Sequence, residues 1–410
     1  MTRKLHPQLS DSGIATAAVL TLNTGSSSIR FALYDQAEPM QRLLSGKLDR
    51  IGLRDTTLTC MDGSGQQDSL PFNTTAHDTP VASLLSWLEQ QQVFATLKAV
   101  GHRVVHGMAH TGPELVTAVL LDELRHNIPY APEHLPRQLE LIDAIGKRYP
   151  GLPQVVCYDT SFHQSMPRVA SLLPIPRAYE AAGVRRYGFH GLSYEFLMQE
   201  LIRLGDPAAT TGRVILAHLG NGASLAAVCA GHSIDTSMGF TPTGGLVMGS
   251  RSGDLDPGLI CWLASTKNMG TAQLQQMLNH GSGLLGISET SADMRDLLAR
   301  EDDDVRAAEA VELFCYQAKK WIGAYIAVLG GLDTLVFAGG IGENIPLVRS
   351  RICAGLNCFG IELDPVRNMN NAALLSPDTT PVKIRVIRTD EEQMIANSVT
   401  RLLTTIKVKL

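Results

Sequence analysis

Four side chains in this sequence stand in surroundings that favour anion chemistry. Arg103 interrupts an apolar, strand-like run, and a buried arginine needs an anion or a carboxylate as its partner. Asp159 follows directly after another apolar run, where open α/β sheets place their sites. His190 stands between an aromatic residue and a glycine, and Arg251 is flanked by small residues that leave it accessible. Each of these residue types could contact a negatively charged group.

Each of these residues also has a structural interpretation. Arg103 could form a structural salt bridge, Asp159 could cap a helix N-terminus, and His190 could be a structural histidine. The glycine-rich stretch 218–254 favours the functional interpretation, because glycines at this density usually bring backbone close to a ligand.

Two short polar turns between apolar runs predict phosphate cradles. Residues 19–35 and 214–231 each have the pattern of a β-hairpin whose turn, Asn-Thr-Gly-Ser-Ser-Ser or Gly-Asn-Gly-Ala-Ser, presents N–H groups and hydroxyls. Ser26 and Ser28 could donate to phosphate oxygens, and Asn23 offers a neutral oxygen to a metal or its water shell. Two ordinary solvated hairpins are the alternative. One such turn in each half of the chain indicates a duplicated fold.

The elements that must position these residues alternate between strands and helices. Strand-like apolar runs cover 18–22, 31–34, 99–105, 154–158, 214–218, 223–228, 334–338 and 382–388. Helical periodicity covers 81–92, 138–148 and 307–330. The longest of these helices is apolar enough to be largely buried. The alternation predicts an α/β fold with a sheet covered by helices and a domain boundary within 183–212.

Composition excludes several other classes of protein. A chain of 410 residues, 44% hydrophobic and 18% charged, can bury two or three cores and is not a disordered polyelectrolyte. The net charge of -5 argues against a nucleic-acid partner, and no apolar run reaches the roughly 18–20 residues of a membrane span. Seven widely spaced cysteines indicate reduced thiols and a cytoplasmic protein. Residues 1–16 have no signal-peptide pattern and are expected to form a flexible tail.

Taken together, the motifs resemble the acetate kinase family, whose members act on acetate or propionate. The resemblance extends from about residue 19 to residue 401, with the motifs in family order, and 235–257 is its most specific segment. It implies duplicated ribonuclease H-like domains of the actin-type ATPase class with the active site in the cleft between them. The N-terminal acyl and phosphate lobe would cover 17–185, to which the C-terminal helix can return. The nucleotide-binding lobe would cover 186–410.

The resemblance implies a reaction and its requirements. ATP would phosphorylate acetate directly and in line, giving acetyl phosphate and ADP reversibly, with Mg²⁺ or Mn²⁺, in a homodimer. Because acetate is ionised at pH 7, no general base is needed, and catalysis reduces to positioning and positive charge. A propionate or other short-chain acid kinase is the alternative within this class. A catalytically weak nucleotide-binding regulatory protein is the alternative from another class, and a sugar kinase or chaperone-type ATPase ranks last.

The resemblance also implies roles for single residues. Arg103 and Arg251 would bind the carboxylate and the transferred phosphoryl group, His190 would donate to the phosphoryl oxygens, and Asp159 would orient an arginine or the metal's water. Asn23 and Glu391 would hold the metal. The acyl group would lie against Arg103, Val105, Phe189 and Pro242. ATP and its phosphates would contact Arg30, Ser26, Ser28, His218, Leu219, Gly220, Asn221, Gly222, Asp293, Met294, Arg295, Gly340, Ile341, Gly342, Glu343 and Asn344.

Some positions depart from the family pattern, mostly on the acyl side. Arg30 stands where the family has lysine, which keeps the charge but changes its geometry. Glu133 stands where the family has a pocket leucine, and Thr243 replaces a leucine in the motif that contains Pro242. A carboxylate at position 133 would repel acetate unless it turned away or paired with a cation.

Overall fold

The computed structural model describes residues 17–25, 28–51, 56–72 and 79–408. The predicted tail 1–16 and the phosphate ligand Ser26 therefore lie outside the described residues. The described strands are β1 (Ala18–Thr24), β2 (Ile29–Asp35), β3 (Arg42–Asp49), β4 (Thr57–Asp62), β5 (Gln67–Pro71), β6 (Leu97–Val104), β7 (Glu114–Leu115), β8 (Gln154–Tyr158), β9 (Arg213–Leu219), β10 (Ala223–Cys229), β11 (His232–Thr236), β12 (Thr334–Ala338) and β13 (Lys383–Val386).

Helices fill most of the sequence between the strands. They are α1 (Pro80–Glu89), α2 (Ala118–His126), α3 (Leu135–Arg148), α4 (Arg168–Ser171), α5 (Arg177–Ala181), α6 (Gly191–Arg203), α7 (Ala208–Thr211), α8 (Pro257–Thr266), α9 (Thr271–His280), α10 (Gly283–Ser288), α11 (Met294–Leu298), α12 (Val305–Leu329), α13 (Gly339–Asn344), α14 (Pro346–Cys353), α15 (Pro365–Met369) and α16 (Glu391–Val408). Within the described ranges, no helix combines the length and apolarity that a membrane span requires.

The strands form two sheets with the same central topology. The first has the order β5-β4-β3-β2-β1-β6-β8-β7, and the second has the order β11-β10-β9-β12-β13. In each, an antiparallel hairpin is followed by two strands that run parallel to its first strand. The order β3-β2-β1-β6-β8 is therefore repeated as β11-β10-β9-β12-β13, which confirms the predicted duplicated α/β fold.

The two predicted hairpins are present. Strands β1 and β2 pair antiparallel, and the Gly25 N–H donates to the Ser28 carbonyl at 2.8 Å. Strands β9 and β10 pair in the same way, and the Gly220 N–H donates to the Gly222 carbonyl at 3.0 Å. Both turns therefore lie at the carboxyl end of the first strand of a sheet, where the parallel strands also end.

A continuous apolar core joins the two sheets through α6 and α16. Val19 of β1, Leu197 of α6, Val214 of β9 and Ile395 of α16 belong to one cluster of fully buried side chains. The last helix thus packs on the first sheet, where Ile395 lies against Gly101 of β6. The first turns of both helices contact residues at strand ends. Gly191 of α6 donates its N–H to the carbonyl of Asp159, after β8, and Glu391 of α16 accepts from Asn23 of β1.

The strands and helices that were predicted from apolar runs are all present, with ends shifted by a few residues. One expectation about burial was wrong. Helix α12 buries one face, which includes Phe314 and Ile322, but leaves Tyr316 61% exposed. It is therefore amphipathic rather than largely buried, because its exposed face also carries charged residues such as Glu312 and Lys320.

Candidate active site

The candidate active site lies where the parallel strands of both sheets end. Asn23 is near the end of β1, Arg103 near the end of β6, and Asp159 directly after β8. In the second sheet, His218 is near the end of β9 and Gly339 directly follows β12. The structure brings the first three of these side chains into direct contact.

Arg103 and Asp159 form a two-pronged ion pair. Arg103 donates from Nε to Asp159 Oδ1 at 3.0 Å and from Nη2 to Oδ2 at 2.5 Å, and Asp159 is fully buried. Arg103 Nη1 also donates to Asn23 Oδ1 at 3.1 Å. Burial lowers the pKa of Arg103, but the carboxylates of Asp159 and Glu391 raise it by more. Asp159 thus orients the arginine, and a guanidinium has five N–H groups, so two are left for a ligand.

Two adjacent carboxylates meet this pair from the first turn of α16. Asn23 Nδ2 donates to Glu391 Oε2 at 2.8 Å and to Glu392 Oε1 at 3.1 Å. Burial raises the pKa of Glu391, but Arg103, His218 and the hydrogen bond from Asn23 together lower it by more, so this carboxylate is ionised. Burial and the charge of Glu391 raise the pKa of Glu392. Sequence reasoning selected Glu391 and missed Glu392, although the two are adjacent.

His190 is held in an unusual backbone conformation at the start of α6. Its φ is 59°, and the next residue, Gly191, donates its N–H to the Asp159 carbonyl at 2.8 Å. A side chain at Gly191 would overlap that carbonyl, so this position requires glycine. His190 Nδ1 lies 2.8 Å from Ser224 Oγ, which leaves Nε2 for a ligand. Burial is the main reason that its pKa is well below 6.5, so the ring is neutral at pH 7.

Arg251 is a partly buried cation whose side chain forms none of the ion pairs found among the described residues. Its Nη1 donates to the Pro242 carbonyl at 3.0 Å. Burial lowers the pKa of Arg251, and the charge of Glu133 partly offsets this effect. A partly buried guanidinium without a carboxylate against it is prepared to bind an incoming anion.

The turn between β9 and β10 brings the second sheet to this centre. A β-carbon on Gly222 would lie 3.4 Å from His190 Nε2 and 3.6 Å from Arg251 Nη1. The His218 ring stacks on the His190 ring with centroids 4.3 Å apart, and His218 Nδ1 lies 2.8 Å from Ser193 Oγ. Leu219 is buried beneath the turn. The predicted phosphate segment 218–222 is thus next to both His190 and Arg251.

Two further predicted nucleotide segments lie beside this turn. A β-carbon on Gly220 would be 3.9 Å from the Gly340 nitrogen, at the start of α13. Glu343 accepts from the Gly339 N–H at 2.9 Å and from the Thr389 N–H at 3.1 Å, so it organises α13 and the residues before α16. The rest of α13 contains buried Ile341 and Gly342 and the side chain of Asn344, which donates to the Gly340 carbonyl.

The predicted nucleotide segment 293–295 directly follows Ala292, which lies close to Gly249. A β-carbon on Gly249 would lie 3.2 Å from the Ala292 carbonyl and would overlap Asn221. Asp293 caps α11 and forms an ion pair with Arg295, whereas Met294 is buried. Asp293 therefore has a structural partner, and the exposed Arg295 is the member of this segment that is free to face solvent.

On the first sheet, Arg30 and Ser28 border the same region. Arg30 is exposed on β2, directly across from Asn23 in register, and its charge lowers the pKa of Glu391. Ser28 directly precedes β2, the return strand of the turn. Both lie on the side of the site that carries the two carboxylates.

The predicted acyl pocket has buried apolar walls. Val105 and Phe189 are 2% and 1% exposed and belong to one core cluster. Pro242 is only partly buried, and its carbonyl accepts a hydrogen bond from Arg251. The His106 ring packs edge-on against Phe189 with centroids 5.6 Å apart. Sequence reasoning did not select His106, although it is in the same motif as Arg103.

Glu133 does not stand unpaired beside the pocket. Its Oε1 accepts from Asn279 Nδ2 at 3.1 Å and lies 3.2 Å from His280 Nε2. The neighbouring His134 was also missed by sequence reasoning. Its Nδ1 is buried without a hydrogen bond among the described residues, and the charges of Arg251 and Arg103 help to lower its pKa to about 3, after the larger effect of burial.

Comparison with known proteins finds relatives that match nearly the whole chain. Residues 18–397 match the Acetokinase family. The acetate kinase of Rhodopseudomonas palustris is 44% identical over 391 residues, covering 94% of this chain and 98% of that protein. The propionate kinase of Citrobacter rodentium is 41% identical over 394 residues, covering 94% and 96%. The crystal structure of Porphyromonas gingivalis acetate kinase superposes with a TM-score of 0.85 at 35% identity, covering 94% of this chain and all of that one. From its strand order, its site and these relatives, the chain belongs to the acetokinase family.

Proposed function

We propose that this chain is an acetate kinase, which transfers the γ-phosphoryl group of ATP to acetate and gives acetyl phosphate and ADP reversibly. The observation that carries the proposal is the convergence at Gly222 of Arg251 and His190, beside the Arg103–Asp159 pair. Relatives named acetate kinase over nearly their whole length support it.

The site supplies what direct phosphoryl transfer to a carboxylate needs. Acetate is already a nucleophile at pH 7, so the barrier comes from bringing two anions together. Arg103, fixed by Asp159, and Arg251, free of an ion pair among the described residues, would neutralise the carboxylate and the phosphoryl oxygens. The neutral His190 would donate from Nε2 to the same oxygens, because Ser224 occupies its Nδ1.

The residues present suit a magnesium ion. Across the described ranges, no cluster of three or more His, Cys, Asp or Glu side chains could hold a metal by itself. Mg²⁺ typically uses only one or two carboxylates together with water and substrate phosphates. Glu391 and Glu392 provide such carboxylates, and Asn23 orients them. Bound there, Mg²⁺ or Mn²⁺ would neutralise phosphate charge.

We place the nucleotide against the second sheet. The N–H groups of the turn 220–222 and the hydroxyl of Ser28 would contact the phosphates, with Arg30 as a further cation. Residues 293–295 and the start of α13 would border the adenosine. The supporting observation is that both segments lie next to the turn 220–222. Gly249 lies close to both Asn221 and Ala292, and Gly220 lies close to Gly340.

Propionate is the second candidate substrate. Val105, Phe189 and Pro242 would enclose the methyl group of acetate, and propionate needs space for one more carbon. The 41% identity to the propionate kinase of Citrobacter rodentium supports propionate as a candidate. Discrimination by one methylene in an apolar pocket is worth only about 1–3 kcal/mol, so both acids should be turned over to some extent.

The proposed assembly is two lobes, 17–185 and 186–410, in a cytoplasmic homodimer. All seven cysteines are free thiols, which suits a reducing compartment. Helix α8 supports the dimer, because it is apolar but has no buried residue, and Leu259 and Trp262 are 38% and 48% exposed. We expect Trp262→Glu to convert a dimer into monomers in light scattering, and Val169→Glu, on the exposed face of α4, to have no effect.

Steady-state kinetics with ATP, Mg²⁺ and formate, acetate, propionate or butyrate test the proposed function. A maximum of kcat/KM at acetate supports it, and a maximum at propionate favours the second candidate. ATP binding without turnover of any of the four acids would contradict both and favour a regulatory protein.

A further inference from the structure

The side chain of Glu133, in the first lobe, contacts two residues of the second lobe. Glu133 lies in the loop before α3, which packs on the first sheet, and its partners Asn279 and His280 end α9, in the sequence of the second lobe. The carboxyl group is only partly exposed, at 25%. An acyl-side leucine, as the family pattern has at this position, could not make these hydrogen bonds.

Asn279 is in turn bound to the segment that carries Arg251. Thr243 Oγ1 donates to Asn279 Oδ1 at 2.6 Å, and Ser250 Oγ donates to the Asn279 carbonyl at 2.9 Å. Thr243 directly follows Pro242, whose carbonyl binds Arg251 Nη1. Hydrogen bonds thus connect Glu133 to both sides of Arg251.

Electrostatics point in the same direction. Arg251 has no carboxylate against it among the residues that the structure describes, and burial makes its charge costly. The charge of Glu133 offsets part of that cost, although the two side chains form no ion pair among the described residues. A carboxylate that acts without direct contact stabilises the cation and leaves its N–H groups for substrate.

We propose that Glu133 is a positioning residue, which bridges the two lobes through Asn279 and thereby holds the Thr243–Arg251 segment in place for the carboxylate substrate. The inference rests on the proposed function and deepens it. Glu133 and Thr243 are the two positions that differ from the family pattern in this region. Both are hydrogen-bonded to Asn279, so the two differences belong to one network.

Kinetics of four variants test this role: Glu133→Leu, Glu133→Gln, Asn279→Ala and the Leu–Ala double variant. We expect Glu133→Leu to lower kcat/KM for acetate about tenfold, the effect of losing one hydrogen bond to a charged group, with KM for ATP unchanged. Glu133→Gln should recover most of it, since its amide oxygen can still accept from Asn279. The double variant should be no worse than the worse single one. Glu140→Leu, on the exposed face of α3, is the matched control.

The opposite outcomes are distinct. A lower KM for acetate in Glu133→Leu would mean that the carboxylate repels substrate, and additive effects in the double variant would mean that no bridge exists. Hydrogen exchange of peptides covering 242–252 gives a readout that does not need turnover. It should speed up in Glu133→Leu and Asn279→Ala but not in Glu140→Leu. If the unmodified chain does not phosphorylate acetate, the proposed function fails, and unchanged exchange would still overturn the bridge by itself.

Discussion

His190 Nε2 and Arg251 Nη1 face the same point on the backbone of Gly222, at 3.4 Å and 3.6 Å from where its β-carbon would be. One group is a neutral imidazole and the other a partly buried guanidinium. A phosphoryl group above Gly222 could therefore receive hydrogen bonds from both, in surroundings with little water to compete.

Replacing Gly222 by alanine should separate catalysis from folding. The added methyl group makes ordinary contacts with His190 and Arg251, so we expect the melting temperature to stay within about 2 °C. It would occupy the place where phosphate oxygens meet both donors, and turnover should fall about 100-fold. Differential scanning calorimetry and a kinase assay check this, with Gly151→Ala, which meets no atom within 4 Å, as the control. Normal turnover would show that the phosphate lies elsewhere.

Removing either arginine should affect turnover far more than nucleotide binding. Arg103→Ala and Arg251→Ala each delete a cation aimed at the acyl and phosphoryl groups, and we expect kcat to fall about 100- to 1,000-fold. ATP affinity, measured by calorimetry, should change by less than about threefold, because the adenosine segments are untouched. Arg177→Ala, at an exposed position of α5, should behave like the unmodified protein. Turnover retained in either active-site variant would refute the charge assignment.

The Arg103–Asp159 pair should also be important for stability. Asp159→Ala leaves a guanidinium that is only 15% exposed without its carboxylate, which typically costs about 3–5 kcal/mol in the free energy of unfolding. Urea denaturation measures this loss. Asp143→Ala removes a carboxylate from the exposed pair with Arg125 and should cost less than about 1 kcal/mol. Equal losses in the two variants would mean that the buried pair is not special.

Buried neutral histidines should make the fold sensitive to acid. Burial lowers the pKa of His102 to about 4, and its Nε2 lies 2.8 Å from Gln154 Oε1. Between the unfolded value near 6.5 and about 4, the unfolded chain binds a proton that the folded chain does not. Stability should therefore be constant above pH 6.5 and fall by about 1.4 kcal/mol per pH unit for this residue as the pH decreases. Similar shifts apply to His106, His134 and His163.

Urea unfolding at pH 7.5, 6.5 and 5.5 measures this slope. His102→Gln should reduce the slope by the contribution of one proton, and His126→Gln, whose side chain is 78% exposed, should leave it unchanged. A slope that is the same in all three proteins would show that His102 titrates normally in the folded state.

The sequence predicted the strands that end at the site because those strands are buried on both faces. Strand β9 has five buried residues and β12 is buried throughout, so both appear as continuous apolar runs. Strands β4 and β5 went unrecognised, because β5 is an exposed edge strand, Gln-Asp-Ser-Leu-Pro, with almost no apolar signal. Strand β7 has only two residues, which is too short for any periodicity.

Contacts between distant parts of the chain could not be predicted. The bond between Glu133 and Asn279 joins residues 146 positions apart, and the sequence could only indicate that Glu133 would need a partner. Glu392 was missed for the same reason, since nothing local indicates that Asn23 binds both carboxylates. For Arg103 the sequence offered two alternative partners, a carboxylate and a substrate anion. The structure shows that they are compatible, because Asp159 and Asn23 leave two N–H groups of the guanidinium free.

The packing of α16 on the first sheet has a consequence for biosynthesis. Asn23 is synthesised 368 residues before its partner Glu391. Val19 and Ile395 of the shared core are separated in the same way. Part of the apolar surface of the first sheet therefore stays uncovered during synthesis until α16 has been made. A premature stop just before α16 would yield a chain that lacks both carboxylates and also the cover of its first sheet.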